Sequence, residues 1–158
     1  MKVKYTINDE IKEFEIKEGE VLLDVLRRYG YTEAKGNCYM GTCGACAVLI
    51  NGVPKTSCTT FAAQIDGAAI TTVKGIGTIT SPSLIQKAFV EKGAVQCGFC
   101  TPGTIVSAYA LLVKNPSPSE EEIKKAIDGN LCRCTGYVQQ IEAIKYASEL
   151  MKGGKKDE

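Results

Sequence analysis

A chain of 158 residues, 44% hydrophobic and 23% charged, has room for one domain or two small ones and the composition of a soluble globular protein. A net charge of +1 offers no basic face to nucleic acid, and no apolar run is long enough to span a membrane. The absence of histidine removes His-containing zinc sites, Rieske centres and histidine general bases.

Val3, Tyr5 and Ile7 alternate with Lys2, Lys4 and Thr6, the period of a half-buried strand, and Asn8-Asp9-Glu10 turns the chain into a return strand through Phe14 and Ile16. Met1–Tyr5 thus opens a strand pattern rather than a signal peptide, so a cytoplasmic location is expected. In that setting the 8 cysteines read as metal ligands and not as disulfides. Leu22, Val25, Leu26 and Tyr29 then fall on one face of a short helix that Gly30 ends.

The loop 36–46 follows, with Cys38, Cys43 and Cys46 divided by Gly41 and Gly44. Ala47–Ile50 and Val53–Thr56 flank Asn51-Gly52, a hairpin signal, and Cys58 comes just after the second strand. A further strand is expected over Ala69–Val73, giving a small mixed sheet packed on one helix. Residues 75–80 read as a linker; Gly75-Ile76-Gly77 lacks the third glycine and the βαβ setting of a nucleotide loop.

Helix signals take over from Ser81. Ser81-Pro82 predicts an N-cap and first-turn proline, and Thr101-Pro102 repeats the pattern directly after Cys97-Gly98-Phe99-Cys100. Ser119-Glu120-Glu121-Glu122 is a capping box for a third helix. Thr135 is read as the cap of a fourth, with Val138, Ile141, Ile144, Ala147 and Met151 inward, following Cys132-Arg133-Cys134. The tail 153–158 is charged and expected to be disordered. Both cysteine groups of this half sit before expected helix starts, where free N–H groups and a positive partial charge suit an anionic centre.

The spacing C-x4-C-x2-C…C at Cys38, Cys43, Cys46 and Cys58 is that of a plant-type [2Fe–2S] site. A zinc reading is weaker, because zinc ligands come as separated C-x2-4-C pairs and here three fall in one loop. A thioredoxin-like reading of Cys97 and Cys100 wants a βαβ context and leaves Cys132 and Cys134 unexplained. Two iron–sulfur clusters use all eight thiols. Arg133 reads as a structural or surface charge, and greater solvent exposure is expected at the first site than at the second. No nucleophile–base pair is present, so an electron carrier is expected rather than a chain with substrate chemistry of its own.

The segments Gln96-Cys97-Gly98-Phe99-Cys100-Thr101-Pro102-Gly103 and Asn130-Leu131-Cys132-Arg133-Cys134-Thr135-Gly136-Tyr137, with Cys43-Gly44-Ala45-Cys46, resemble the small iron–sulfur subunit of the molybdenum hydroxylases over nearly the whole chain. The resemblance implies an α+β fold: a β-grasp, ferredoxin-like domain (1–74), the linker (75–80) and an all-α four-helix domain (81–152). It implies one [2Fe–2S] cluster on Cys38, Cys43, Cys46 and Cys58 and another on Cys97, Cys100, Cys132 and Cys134. It places Gln96 and Cys134 against a molybdopterin cofactor in a large partner subunit and the first cluster toward an FAD-binding subunit. Electrons would pass from molybdenum through both clusters to FAD in a hetero-oligomer; the alternative is a free two-cluster ferredoxin-type carrier. Asn37 stands where the family has glycine and is expected to take the left-handed turn, and Tyr39-Met40 is bulkier than is common.

Overall fold

The computed structural model describes residues 1–153. Of the expected disordered tail, Gly153 closes the last helix and the remainder lies outside the described residues. Strands β1 (Lys2–Ile7), β2 (Glu10–Glu15), β3 (Ala47–Ile50), β4 (Val53–Thr56) and β5 (Ala69–Thr71) form one sheet in the order β2-β1-β5-β3-β4. β1 and β5 run parallel, and the other neighbours are antiparallel. Asn8 and Asp9 (φ 49° and 70°) and Asn51 and Gly52 (φ 50° and 78°) make the two hairpin turns, both central residues left-handed as the strand twist prefers.

Helix α1 (Leu22–Arg28) lies across one face of the sheet, its buried residues Leu22, Leu23, Val25 and Leu26 joining Tyr5, Phe14, Val48 and Ile70 in one core. β1 alternates exposed and buried residues, but all four residues of β3 are buried. Its unbroken apolar run has a physical reason. Val48 and Ile50 face the α1 side, and Ala47 and Leu49 pack on the other side against Val106 of α4 (Thr101–Lys114).

The remaining helices are α2 (Val73–Ile76), α3 (Leu84–Glu91), α5 (Glu120–Ile127) and α6 (Val138–Gly153), closed around Ile85, Phe89, Leu112, Ile123 and Ile144. None among the described residues is long and apolar enough to cross a membrane. Four boundaries differ from the sequence reading. The last strand stops at Thr71, because the Thr72 N–H donates to Asn8 Oδ1 (2.9 Å) instead of a ladder partner. The helical turn α2 then occupies the start of the stretch read as linker. Ser83, not Ser81, caps α3, in a reciprocal box with Gln86. The fourth long helix begins at Val138, because Gly136 and Tyr137 are left-handed (φ 61° and 69°), and the Thr135 hydroxyl accepts from the Tyr137 N–H (3.2 Å) in a turn ahead of the helix.

Candidate metal centres

The first cysteine group is assembled by the β3–β4 hairpin. Pairing of Ala47 with Thr56 returns the chain beside Cys46, and Ser57 fixes the join by donating its N–H (3.3 Å) and hydroxyl (2.7 Å) to the Cys46 carbonyl. Cys58 follows on a short 3-10 turn, Ser57–Thr59. Cys38, Cys43 and Cys46 lie on the loop between α1 and β3, which curls through left-handed Tyr39 (φ 54°), Gly41 (76°) and Gly44 (70°).

Asn37 is not left-handed; the turn belongs to Tyr39. Gly36 leaves room for the Tyr39 ring, since a Cβ there would stand 2.7 Å from the Tyr39 hydroxyl. Backbone N–H groups of Met40 and Cys43 hold the Cys38 thiol down to about 6, and the Met40 N–H lies 3.5 Å from its sulfur. Burial, with Cys46 alongside, pushes Cys58 up to about 11.

The second group comes from two loops of the helical half. Cys97 and Cys100 precede α4, with Cys100 as its N-cap residue; Cys132 and Cys134 precede α6. Cys97 Sγ and Cys134 Sγ are 3.6 Å apart. Thr135 serves Cys132 twice, through its N–H (3.5 Å) and its hydroxyl (3.2 Å). Burial raises the Cys132 thiol, but the Thr135 contacts outweigh it and bring it down to about 7. Burial and the neighbouring Cys132 push Cys100 up to about 11, against the Gln140 amide. The Phe99 N–H and the Cys134 thiol lower Cys97, and Cys97 in turn raises Cys134.

The thiols therefore stand in four pairs: Cys38 with Cys43, Cys46 with Cys58, Cys97 with Cys134, and Cys100 with Cys132. A spacing of 3.6 Å fits two sulfurs on one tetrahedral metal, whose edge is about 3.8 Å for bonds of about 2.3 Å. Among the described residues no three ligating side chains close on one point as a single ion would need. Pairs are what a two-iron cluster requires, with two thiolates on each iron. The donor set and its N–H groups fit that cofactor at both places.

The sites adjoin. A hollow of about 480 Å³ is lined by all four cysteines of the second group and also by Cys43 and Ala45 of the first. The Leu131 N–H donates to the Cys43 carbonyl (2.9 Å) and the Asn130 side chain to the Gly44 carbonyl (3.2 Å). Against expectation, the first group is the more enclosed: Cys43, Cys46 and Cys58 are buried, whereas Cys97 and Cys134 are exposed. The sheet, hairpin and α1 surround the first loop, while the second rests on helix ends alone. Gln96 lies on the same open rim, its side chain donating to the Cys134 carbonyl (3.2 Å).

Residues 5–69 match the family of 2Fe-2S iron-sulfur cluster binding domains, and residues 72–145 match a second family, the [2Fe-2S] binding domain. The nicotinate dehydrogenase small FeS subunit of Eubacterium barkeri is 47% identical over 93% of this chain and 94% of its own length. The chain belongs to the iron–sulfur subunit family of the molybdenum hydroxylases. Solved relatives agree with that placement. Quinoline 2-oxidoreductase from Pseudomonas putida 86 superposes with a TM-score of 0.92 at 39% identity, over 98% of this subunit and 97% of that chain. Aldehyde oxidoreductase from Desulfovibrio gigas gives 0.93 at 38%, with this subunit covering only 17% of the longer chain. The subunit holds two [2Fe–2S] clusters, a ferredoxin-like domain preceding a helical one, and its role in the oxidoreductase is electron transfer.

Two contributors escaped the sequence reading. Asn130 lies in the motif before Cys132, and its burial depends on its partner Gly44, 86 residues away. Gln140 did leave a signal. It sits one helical turn before Ile144, on what proves to be the buried face, whereas Val138, expected inside, is 62% exposed.

Proposed function

We propose that Cys38, Cys43, Cys46 and Cys58 hold the first cluster and Cys97, Cys100, Cys132 and Cys134 the second, each pair named above sharing one iron. A bound [2Fe–2S] cluster takes up and releases one electron at a time. The chain's own part is to hold the thiolates, to aim N–H donors at sulfur, and to keep the two centres in contact. The observation that carries this reading is the bond from Leu131 N–H to the Cys43 carbonyl, which joins the residue before one ligand directly to another ligand. The chemistry on an organic substrate belongs to partners.

The exposed rim of Gln96, Cys97 and Cys134 is the face we assign to a molybdopterin-binding large subunit, and the outer side of the Cys38 loop the face toward an FAD-binding subunit. Electrons run from molybdenum through the second cluster and the first to FAD. Tyr39, Met40, Phe99 and Leu131 are exposed beside the two sites, which favours a hetero-oligomer over a freely diffusing carrier. Cysteines committed to iron favour a reducing, cytoplasmic setting. The matched regions support two domains, with α2 marking the junction.

Isolation of the enzyme through an affinity tag on this chain tests the assignment of partners. Flavin and molybdenum subunits are expected with it. A chain recovered alone, and fully competent to exchange electrons with several unrelated enzymes, contradicts it.

A further inference from the structure

Gln140 is fully buried in the first turn of α6. Its Nε2 donates to Cys100 Sγ at 3.4 Å, and its Oε1, also buried, has no hydrogen-bond partner among the described residues. A buried amide with one unpaired end is disfavoured relative to an apolar side chain of the same shape. Its neighbours on that face of the helix, Ala143, Ile144 and Ala147, are apolar. What offsets the unpaired oxygen must lie at the other end of the amide, whose one hydrogen bond among the described residues is to the Cys100 sulfur. A neutral thiol accepts weakly. A thiolate within an anionic cluster accepts strongly, because one partner is charged.

We propose that the Gln140 amide is a positioning residue for electron transfer: a fixed donor to the Cys100 thiolate that raises the reduction potential of the helical cluster relative to the loop cluster. The inference rests on the ligand assignment above. Reduction adds one electron to the cluster, with no bond made or broken and no proton required. The added charge falls partly on the ligand sulfurs, so a hydrogen bond to sulfur is stronger in the reduced state and favours it. The enclosure of Gln140 keeps water from replacing the amide when it is removed. By contrast, Cys97 and Cys134 of the same cluster are exposed, and water can compensate there.

The orientation of the amide is part of the claim, since the reversed rotamer would set a carbonyl oxygen against a thiolate. Gln140→Leu and Gln140→Met both remove the donor at nearly constant volume. In the intact enzyme, a reductive titration followed by electron paramagnetic resonance should show the helical-cluster signal appearing at lower potential in both variants. At a fixed potential its reduced-to-oxidised ratio should fall roughly tenfold, as for loss of a hydrogen bond to a charged group, with the loop-cluster midpoint unmoved. An unmoved midpoint in both variants, or equal movement of both clusters, overturns the inference. The unmutated enzyme, grown with side-chain ¹⁵N-labelled glutamine, supplies a test free of folding effects. A nitrogen hyperfine coupling to the reduced helical cluster is expected that persists when Gln96, on the exposed rim, is replaced by leucine, and its absence overturns the inference. Two cluster signals without that coupling defeat the Gln140 inference alone; a single signal in the unmutated enzyme defeats the ligand assignment with it.

Discussion

At the scale of single residues the eight cysteines are chemically unequal before any metal arrives. Cys38 and Cys132 are held down to about 6 and about 7, while Cys58 and Cys100 are pushed up to about 11, against an ordinary value of 9.0. For the first two, the thiolate supports the fold above pH 9.0, and that support fades as pH falls through the depressed values. For the other two, the protonated thiol is favoured below 9.0, and that contribution is lost as pH rises toward 11. Iron must displace protons, so Cys38 and Cys132 offer one ready thiolate in each group. In the iron-free chain at pH 7, iodoacetamide should modify Cys38 and Cys132 ahead of Cys58 and Cys100. Peptide mass spectrometry reads the order; a single common rate, or Cys58 leading, would contradict these environments. Cysteine identity and grouping were legible in the sequence. This ranking was not, because it depends on N–H groups of Met40 and Cys43 and on the Thr135 hydroxyl, whose directions only the folded loops define.

At the scale of elements, local patterns told most where local chemistry decides. The β1–β2 hairpin, α1, the Asn51-Gly52 turn and the Ser119–Glu122 capping box all stand where periodicity and turn residues put them. The reading slipped where a tertiary contact captured a backbone group: Asn8 ends β5, and Thr135 turns to Cys132 instead of capping α6. The start of α4 carries a similar tertiary demand. A Cβ on Gly103 would stand 2.2 Å from the Gly44 carbonyl oxygen, a backbone atom that cannot swing aside. In an isolated helix Gly→Ala stabilises by about 1 kcal/mol. Here Gly103→Ala is expected to destabilise the loaded subunit by about 2 kcal/mol, the scale of overpacking. Denaturant unfolding decides between them, since a more stable variant would mean that α4 does not bear on the first loop.

At the scale of the whole molecule the two halves are joined where the two cysteine groups lie. β3 is sandwiched between α1 and α4, Lys35 lies over the Phe99 ring (5.1 Å), and Asn130 and Leu131 clasp Cys43 and Gly44. Gly44, at φ 70°, has Gly129 and Asn130 so close that a Cβ would meet the Gly129 carbonyl oxygen at 2.2 Å. The sequence displayed Gly44, Gly103 and Asn130 in separate motifs, and nothing in one chain says that three distant segments meet. The two-cluster count was therefore visible in the residues, but the contact that makes the clusters one route was not.

That route is most directly tested by low-temperature electron paramagnetic resonance of the dithionite-reduced enzyme and of its Cys134→Ser variant. About four irons per unmutated chain are expected, with two distinct signals that broaden each other through magnetic coupling, one of them lost or altered in the variant and the other retained. A single signal, two signals blind to each other, or loss of both on changing Cys134 would contradict that expectation.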